Sequence, residues 1–166
     1  ALPAGVAFAG GHPMAGSEES GHEAARPDLF AGATWALVGD DEPAARVASL
    51  VAELGAVPLR CDAADHDRVV AITSHLPQLL ATALAAELES RDEPLVAALL
   101  GPGGRAFLRL AGSSFAIWRD VLDANRDEVD RALAAVQARA AQPAAALEEE
   151  FVLARRFAAR LKTRRT

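Results

Sequence analysis

The pattern of the chain changes once, at Asp62, and that change limits the folds open to it. Before it, short apolar runs sit between glycines. Thr34 to Val38 lies between Gly32 and Gly39, and Ala56 to Cys61 follows Gly55. Runs this short, bounded by turn-forming residues, predict buried strands. Gly5 to Ala9 predicts a third. Between the later two strands, Val47, Leu50, Val51 and Leu54 recur at helical spacing. Asp40-Asp41-Glu42-Pro43 opens that helix with acidic residues and a first-turn proline, and Gly55 closes it. Strand, helix, strand is part of an α/β unit, too small to stand as a sheet alone.

Beyond Asp62 to Asp67 there is no strand signal. Asp65 to Ser90 carries Val69, Ile72, Leu76, Leu79, Ala83 and Leu84 at three- and four-residue steps, which predicts a long amphipathic helix. Pro77 removes one backbone hydrogen bond and is expected to kink it. Pro94 to Leu100 predicts a short helix ended by Gly101-Pro102-Gly103-Gly104, and Phe107 to Ala111 another short helix or turn. Ser113 or Ser114 is expected to cap a helix whose stripe runs Phe115, Trp118, Leu122, Val129, Leu133, Val136. After Pro143, Leu147, Phe151, Ala154, Ala158 and Leu161 share one helical face. Its Glu148-Glu149-Glu150 start and basic Arg155 to Arg165 end suit the helix dipole, and the basic end reads as a solvated face. The fold class is therefore mainly α: a small α/β piece over residues 1–62, then an all-helical domain over 63–166.

Composition agrees. Of 166 residues, 51% are hydrophobic, mainly Ala, Leu and Val, while aromatics are 5% with no Tyr, a mixture that favours helix. A net charge of −6 implies no general affinity for nucleic acid. The single Cys61 excludes an intrachain disulfide, fits a reducing compartment, and reads as a small hydrophobe at a strand end. No apolar run approaches the ~20 residues that span a bilayer. The opening ALPAGVAFAGG lacks the positive region of a signal peptide. A soluble cytoplasmic protein without a membrane partner is the expectation.

The most unusual local stretch is Gly10-Gly11-His12-Pro13-Met14-Ala15-Gly16-Ser17-Glu18. Glycines permit a tight turn and Pro13 holds His12 extended, so His12 is expected on a rigid turn. An imidazole titrates near neutral pH and suits proton transfer. His12, His22, His66 and His75 also accompany Asp62, Asp65 and Asp67, which raises a metal hydrolase; no H-E-x-x-H or other tight ligand spacing occurs, so no metal site is assigned.

The stretch GGHPMAGSEESG at Gly10 to Gly21 resembles the active-site loop of the prephenate dehydrogenase family, which includes arogenate dehydrogenase. Three further stretches fall in the family's order: ITSHLPQLLATAL at Ile72 to Leu84, GGRAFLRLAG at Gly103 to Gly112, and WRDVLDANR at Trp118 to Arg126. The resemblance implies oxidative decarboxylation of prephenate to 4-hydroxyphenylpyruvate with NAD or NADP. It also implies that residues 1–62 are a remnant of a Rossmann-type domain and that the helical domain forms a homodimer. His12 would accept the hydrogen bond of the substrate hydroxyl, and Ser17 and Glu18 would line the polar end of the pocket. His75 would bind substrate, and Arg109 would hold a prephenate carboxylate with its planar, permanently charged fork. His12 and Arg109 are then expected to face one cavity. Taken without the resemblance, His75 reads as a helical histidine satisfied by a carbonyl and Arg109 as an exposed helical arginine. Trp118 reads as core and Asn125 as an interhelix polar group.

Two departures stand out. No G-x-G-x-x-G follows a predicted strand, so the dinucleotide site is expected to lie largely outside this chain, as in a fragment or a truncated gene product. Ala106 and Leu108 also replace more polar residues of the family. The rival to an enzyme is a helical dimerisation module carrying half an active site and inert alone.

Overall fold

The computed structural model describes residues 3, 5–16, 22, 25–91 and 93–163. Three strands, β1 (Ala9–Pro13), β2 (Thr34–Gly39) and β3 (Val57–Arg60), form one sheet in the order β1-β2-β3. β1 runs antiparallel to β2, with His12 opposite Ala36; β3 runs parallel to β2, joined to it by α1 (Asp41–Glu53). A parallel pair needs such a crossover, and Leu37, Ala44, Val51 and Ala56 bury the helix against the sheet. Gly55, at φ +76°, ends the crossover in the left-handed region that favours glycine.

The first strand starts four residues later than the sequence pattern suggests, at Ala9 instead of Gly5. Gly10 and Gly11 stand inside β1, and neither has a positive φ. Their role is close approach. A Cβ on Gly10 would lie 2.8 Å from Val38 Cγ2, and one on Gly11 2.8 Å from Trp35 Nε1. His12 thus rides on a paired edge strand instead of a turn, and Pro13 ends it where a missing N–H is tolerated.

No strand occurs after Arg60 among the described residues. Asp62 caps α2 (Ala63–Val70) by accepting from the Ala64 N–H at 2.8 Å. The chain continues through a π-helical turn, Ala71–His75, into α3 (Leu76–Ser90). Pro77 falls in the first turn of α3, where the wider turn before it absorbs the lost hydrogen bond. Residues 63–90 therefore make one helical rod. By length and composition alone it could cross a bilayer, with a mean hydropathy of 1.5 over its most apolar window, contrary to the expectation of no run that long. Yet it buries Val70, Ala71, His75, Leu76, Gln78 and Ala81, as the central helix of the helical part.

Short helices α4 (Pro94–Leu99) and α5 (Pro102–Leu108) follow, then a 3-10 turn, Arg109–Gly112. The Pro102-Gly103-Gly104 stretch starts α5 instead of separating helices, proline being well placed at a first turn. Ser114 caps α6 (Phe115–Ala124), accepting from the Ala116 N–H. The stripe expected as one helix from Phe115 to Val136 is two, because Asn125 (φ −119°, ψ 26°) breaks it before α7 (Arg126–Ala140). A 3-10 turn at Ala144–Ala146 leads to α8 (Leu147–Thr163), tied to α7 by the Arg139–Glu150 pair.

Candidate functional site

The sheet and the rod meet at His12. Asp62 starts α2 just beyond β3, and α2 brings His66 to His12 on β1. His12 Nδ1 lies 2.9 Å from His66 Nε2, with the two rings edge to face at 5.1 Å. His66 Nδ1 lies 2.8 Å from Asp67 Oδ1. These groups, with Gly10, Gly11, Ala36, Val38 and Ala63, line a hollow of about 250 Å3. Burial, and after it the neighbouring His66, holds the His12 pKa below the usual imidazole value.

His75 stands further along the rod, in the last position of the π-helical turn, and is buried. Asn125 reaches it from the break between α6 and α7. Its amide Nδ2 donates to the Asp67 carbonyl at 2.8 Å and lies 3.3 Å from His75 Nδ1. An amide nitrogen carries two hydrogens and no lone pair to offer, so His75 Nδ1 accepts and its Nε2 carries the proton. Desolvation lowers the His75 pKa first, then His12 and His66, with Asp67 opposing them. The His75 and Trp118 rings also meet in a T-shaped contact, with centroids 6.1 Å apart.

Trp118 leads to a second hollow of about 450 Å3, which it lines with Arg109, Gln78, Ser113 and Gly16. Gly16 belongs to the loop that follows His12. Gln78 Nε2 donates to the Leu110 carbonyl at 2.8 Å, fixing the 3-10 turn that bears Arg109 onto the rod.

His12 and Arg109 thus line neighbouring hollows instead of one cavity. A run of contacts from His12 through His66, Asp67, Asn125, His75 and Trp118 connects them. Ser17 and Glu18 lie outside the described residues, as does most of Ser20 to Ala25. Asn125 is an interhelix polar group as its sequence suggests, whereas Trp118 lines a hollow. In the sequence His66 and Asp67 stand only among the metal-ligand candidates, and Gln78 carries no site signal. The one available signal was Asp62, a capping residue four positions before His66, which puts that imidazole in a first helical turn beside a strand end.

Two family models match the chain in order. Residues 1–59 match the family model described as prephenate dehydrogenase, nucleotide-binding domain, and residues 62–162 match prephenate dehydrogenase, dimerization domain. Prephenate dehydrogenase of Bacillus subtilis is 34% identical over 134 residues, which cover 77% of this chain and 36% of that protein. The crystal structure of prephenate dehydrogenase from A. aeolicus, in complex with hydroxyphenyl propionate and NAD+, superposes with a TM-score of 0.72 at 29% identity, covering 95% of this chain and 58% of that one. Synechocystis arogenate dehydrogenase superposes at 0.71 and 26% identity, covering 96% and 60%. The chain spans about a third of the length of the curated relatives it matches. With both family models matched in order over nearly its whole length, the chain belongs to the prephenate dehydrogenase family.

Proposed function

We propose that this chain carries the substrate-facing part of an enzyme that oxidatively decarboxylates prephenate to 4-hydroxyphenylpyruvate with NAD or NADP. It divides near residue 62 into an edge of the nucleotide-binding domain and a helical domain that pairs with a second copy. Such an enzyme works in the cytoplasm. The observation that carries the reading is the run of contacts that links His12, His66 and His75, through Asp67, Asn125 and Trp118, to the hollow lined by Arg109.

The chemistry asks for a proton acceptor at the substrate hydroxyl and cations for two carboxylates. His12, an exposed imidazole whose pKa partial desolvation lowers, suits the first task. Arg109 suits a carboxylate, His75 can donate through Nε2–H, and Ser17 and Glu18 are proposed for the polar end of the substrate site. A bound nicotinamide would supply the hydride acceptor. Among the described residues no strand runs into a G-x-G-x-x-G turn, and Gly10 and Gly11 are filled by Val38 and Trp35, so these groups do not form a dinucleotide cradle.

Turnover of prephenate and of arogenate, each with NAD+ and NADP+, tests this in the protein that bears the chain. His12→Asn should lower kcat by roughly 10²–10⁴-fold at nearly unchanged KM. Arg109→Leu should raise KM by roughly tenfold or more, as for a lost charged hydrogen bond. Turnover of arogenate alone would move the reading to the sibling specificity. Absence of prephenate binding and of any nicotinamide-dependent turnover would refute it.

A further inference from the structure

We propose that His66, oriented by Asp67, is a positioning residue that fixes the tautomer of His12 and leaves His12 Nε2 as its proton-accepting atom. The assignment rests on the reading of His12 as a proton acceptor only for its catalytic consequence; the tautomer itself follows from geometry. An ionised carboxylate can only accept, so the 2.8 Å contact with Asp67 Oδ1 places the His66 hydrogen on Nδ1. In the neutral ring Nε2 then holds a lone pair. That atom lies 2.9 Å from His12 Nδ1, which must therefore carry the hydrogen and donate it. His12 Nε2 is left with the free lone pair. Without this contact the ring would distribute its hydrogen between both nitrogens, and part of the population would present a donor where an acceptor is needed.

The same contact serves the charged state. A proton taken at Nε2 gives His12 an N–H on each nitrogen, and the Nδ1–H already faces His66, with the Asp67 carboxylate on the far side of that ring. His75 is set the other way, its Nδ1 accepting from Asn125, so the two site histidines present opposite groups. One donates and one accepts. Asp67 serves both arrangements, its side chain holding His66 and its carbonyl holding Asn125.

The test reads tautomers directly, by long-range proton–nitrogen correlation on the chain labelled with nitrogen-15 histidine, at about pH 8 where the imidazoles are neutral. His12 should show the Nδ1–H form in excess over Nε2–H by about fivefold or more, and His75 the Nε2–H form. His66→Phe keeps a ring but removes the acceptor and should return His12 to a mixture. His66→Gln, whose carbonyl can accept at similar reach, should restore part of the bias. In the turnover assay, His66→Phe should lower kcat about tenfold or more with KM within about twofold. Predominant Nε2–H at His12 in the unaltered chain, which requires no variant to fold, overturns the proposal. So does a His12 tautomer that is the same in His66→Phe. If the tautomer pattern holds but no prephenate is turned over, the reading of the enzyme fails while the assignment of His66 stands.

Discussion

His12 and His75 are both held below the ordinary imidazole pKa, chiefly by burial, and this links the site to stability. The unfolded chain protonates each ring near pH 6.5, whereas the folded chain resists until lower pH. As pH falls through that interval the unfolded state binds more protons, so stability is lost; above it, stability is full. The groups facing these rings are His66 for His12, and His12, His66 and Asp67 for His75. Urea unfolding at about pH 7.5 and about pH 5.5, a window above the ordinary carboxylate range, should give a lower midpoint at the acid value. His12→Asn should reduce the difference. Equal midpoints would mean that neither imidazole resists its proton. The sequence showed the identity of these histidines but not this coupling, because His12 and His66 are 54 positions apart and meet only through the sheet and the cap at Asp62.

At the scale of elements, the helices and strands were largely legible from glycine boundaries and apolar spacing, as in β2, α1 and β3. Three features were not, and each has a tertiary cause. Gly10 and Gly11 look like turn residues, but they make room for Val38 and Trp35 within β1. The break at Asn125 carries no proline or glycine; Asn125 leaves the helix to bond Asp67 and His75. The π-helical turn before Pro77 widens the rod just where His75 is buried. The rod also depends on Gln78, a buried amide that donates to the Leu110 carbonyl and to Thr82 Oγ1 at 3.2 Å. Gln78→Leu fills the same space but leaves that carbonyl unpaired, a cost of about 1–3 kcal/mol by urea unfolding. Because the bond anchors the turn bearing Arg109, KM for prephenate should rise as well. Gln78→Glu has similar length and no donor when ionised, so it should behave like the leucine variant; wild-type stability in both would show that the tie carries nothing.

Over the whole molecule, buried residues concentrate on the sheet, α1 and the rod, while α8 has none. Phe151 (67% exposed), Phe157 (54%) and Leu161 (50%) lie along α8, and Phe115 (73%) and Ile117 (60%) begin α6. The Arg160 guanidinium lies 5.7 Å from the centre of the Phe157 ring and covers little of that surface. Scattered exposed apolar residues are ordinary, but a helix with an apolar face and no buried residue gains little by docking where it does. The family model matched by residues 62–162 describes a dimerization domain, and a second copy meeting these faces would remove them from water. The chain should therefore sediment as a dimer at micromolar concentration. Phe151→Glu together with Phe157→Glu places two charges on the α8 face without touching His12, His75 or Arg109, and should shift the chain to monomer. The far-ultraviolet helix signal should be kept, because no buried side chain is altered. A monomer in the unaltered chain, or an intact dimer in the double variant, would mean that something other than this face of a second copy covers α8.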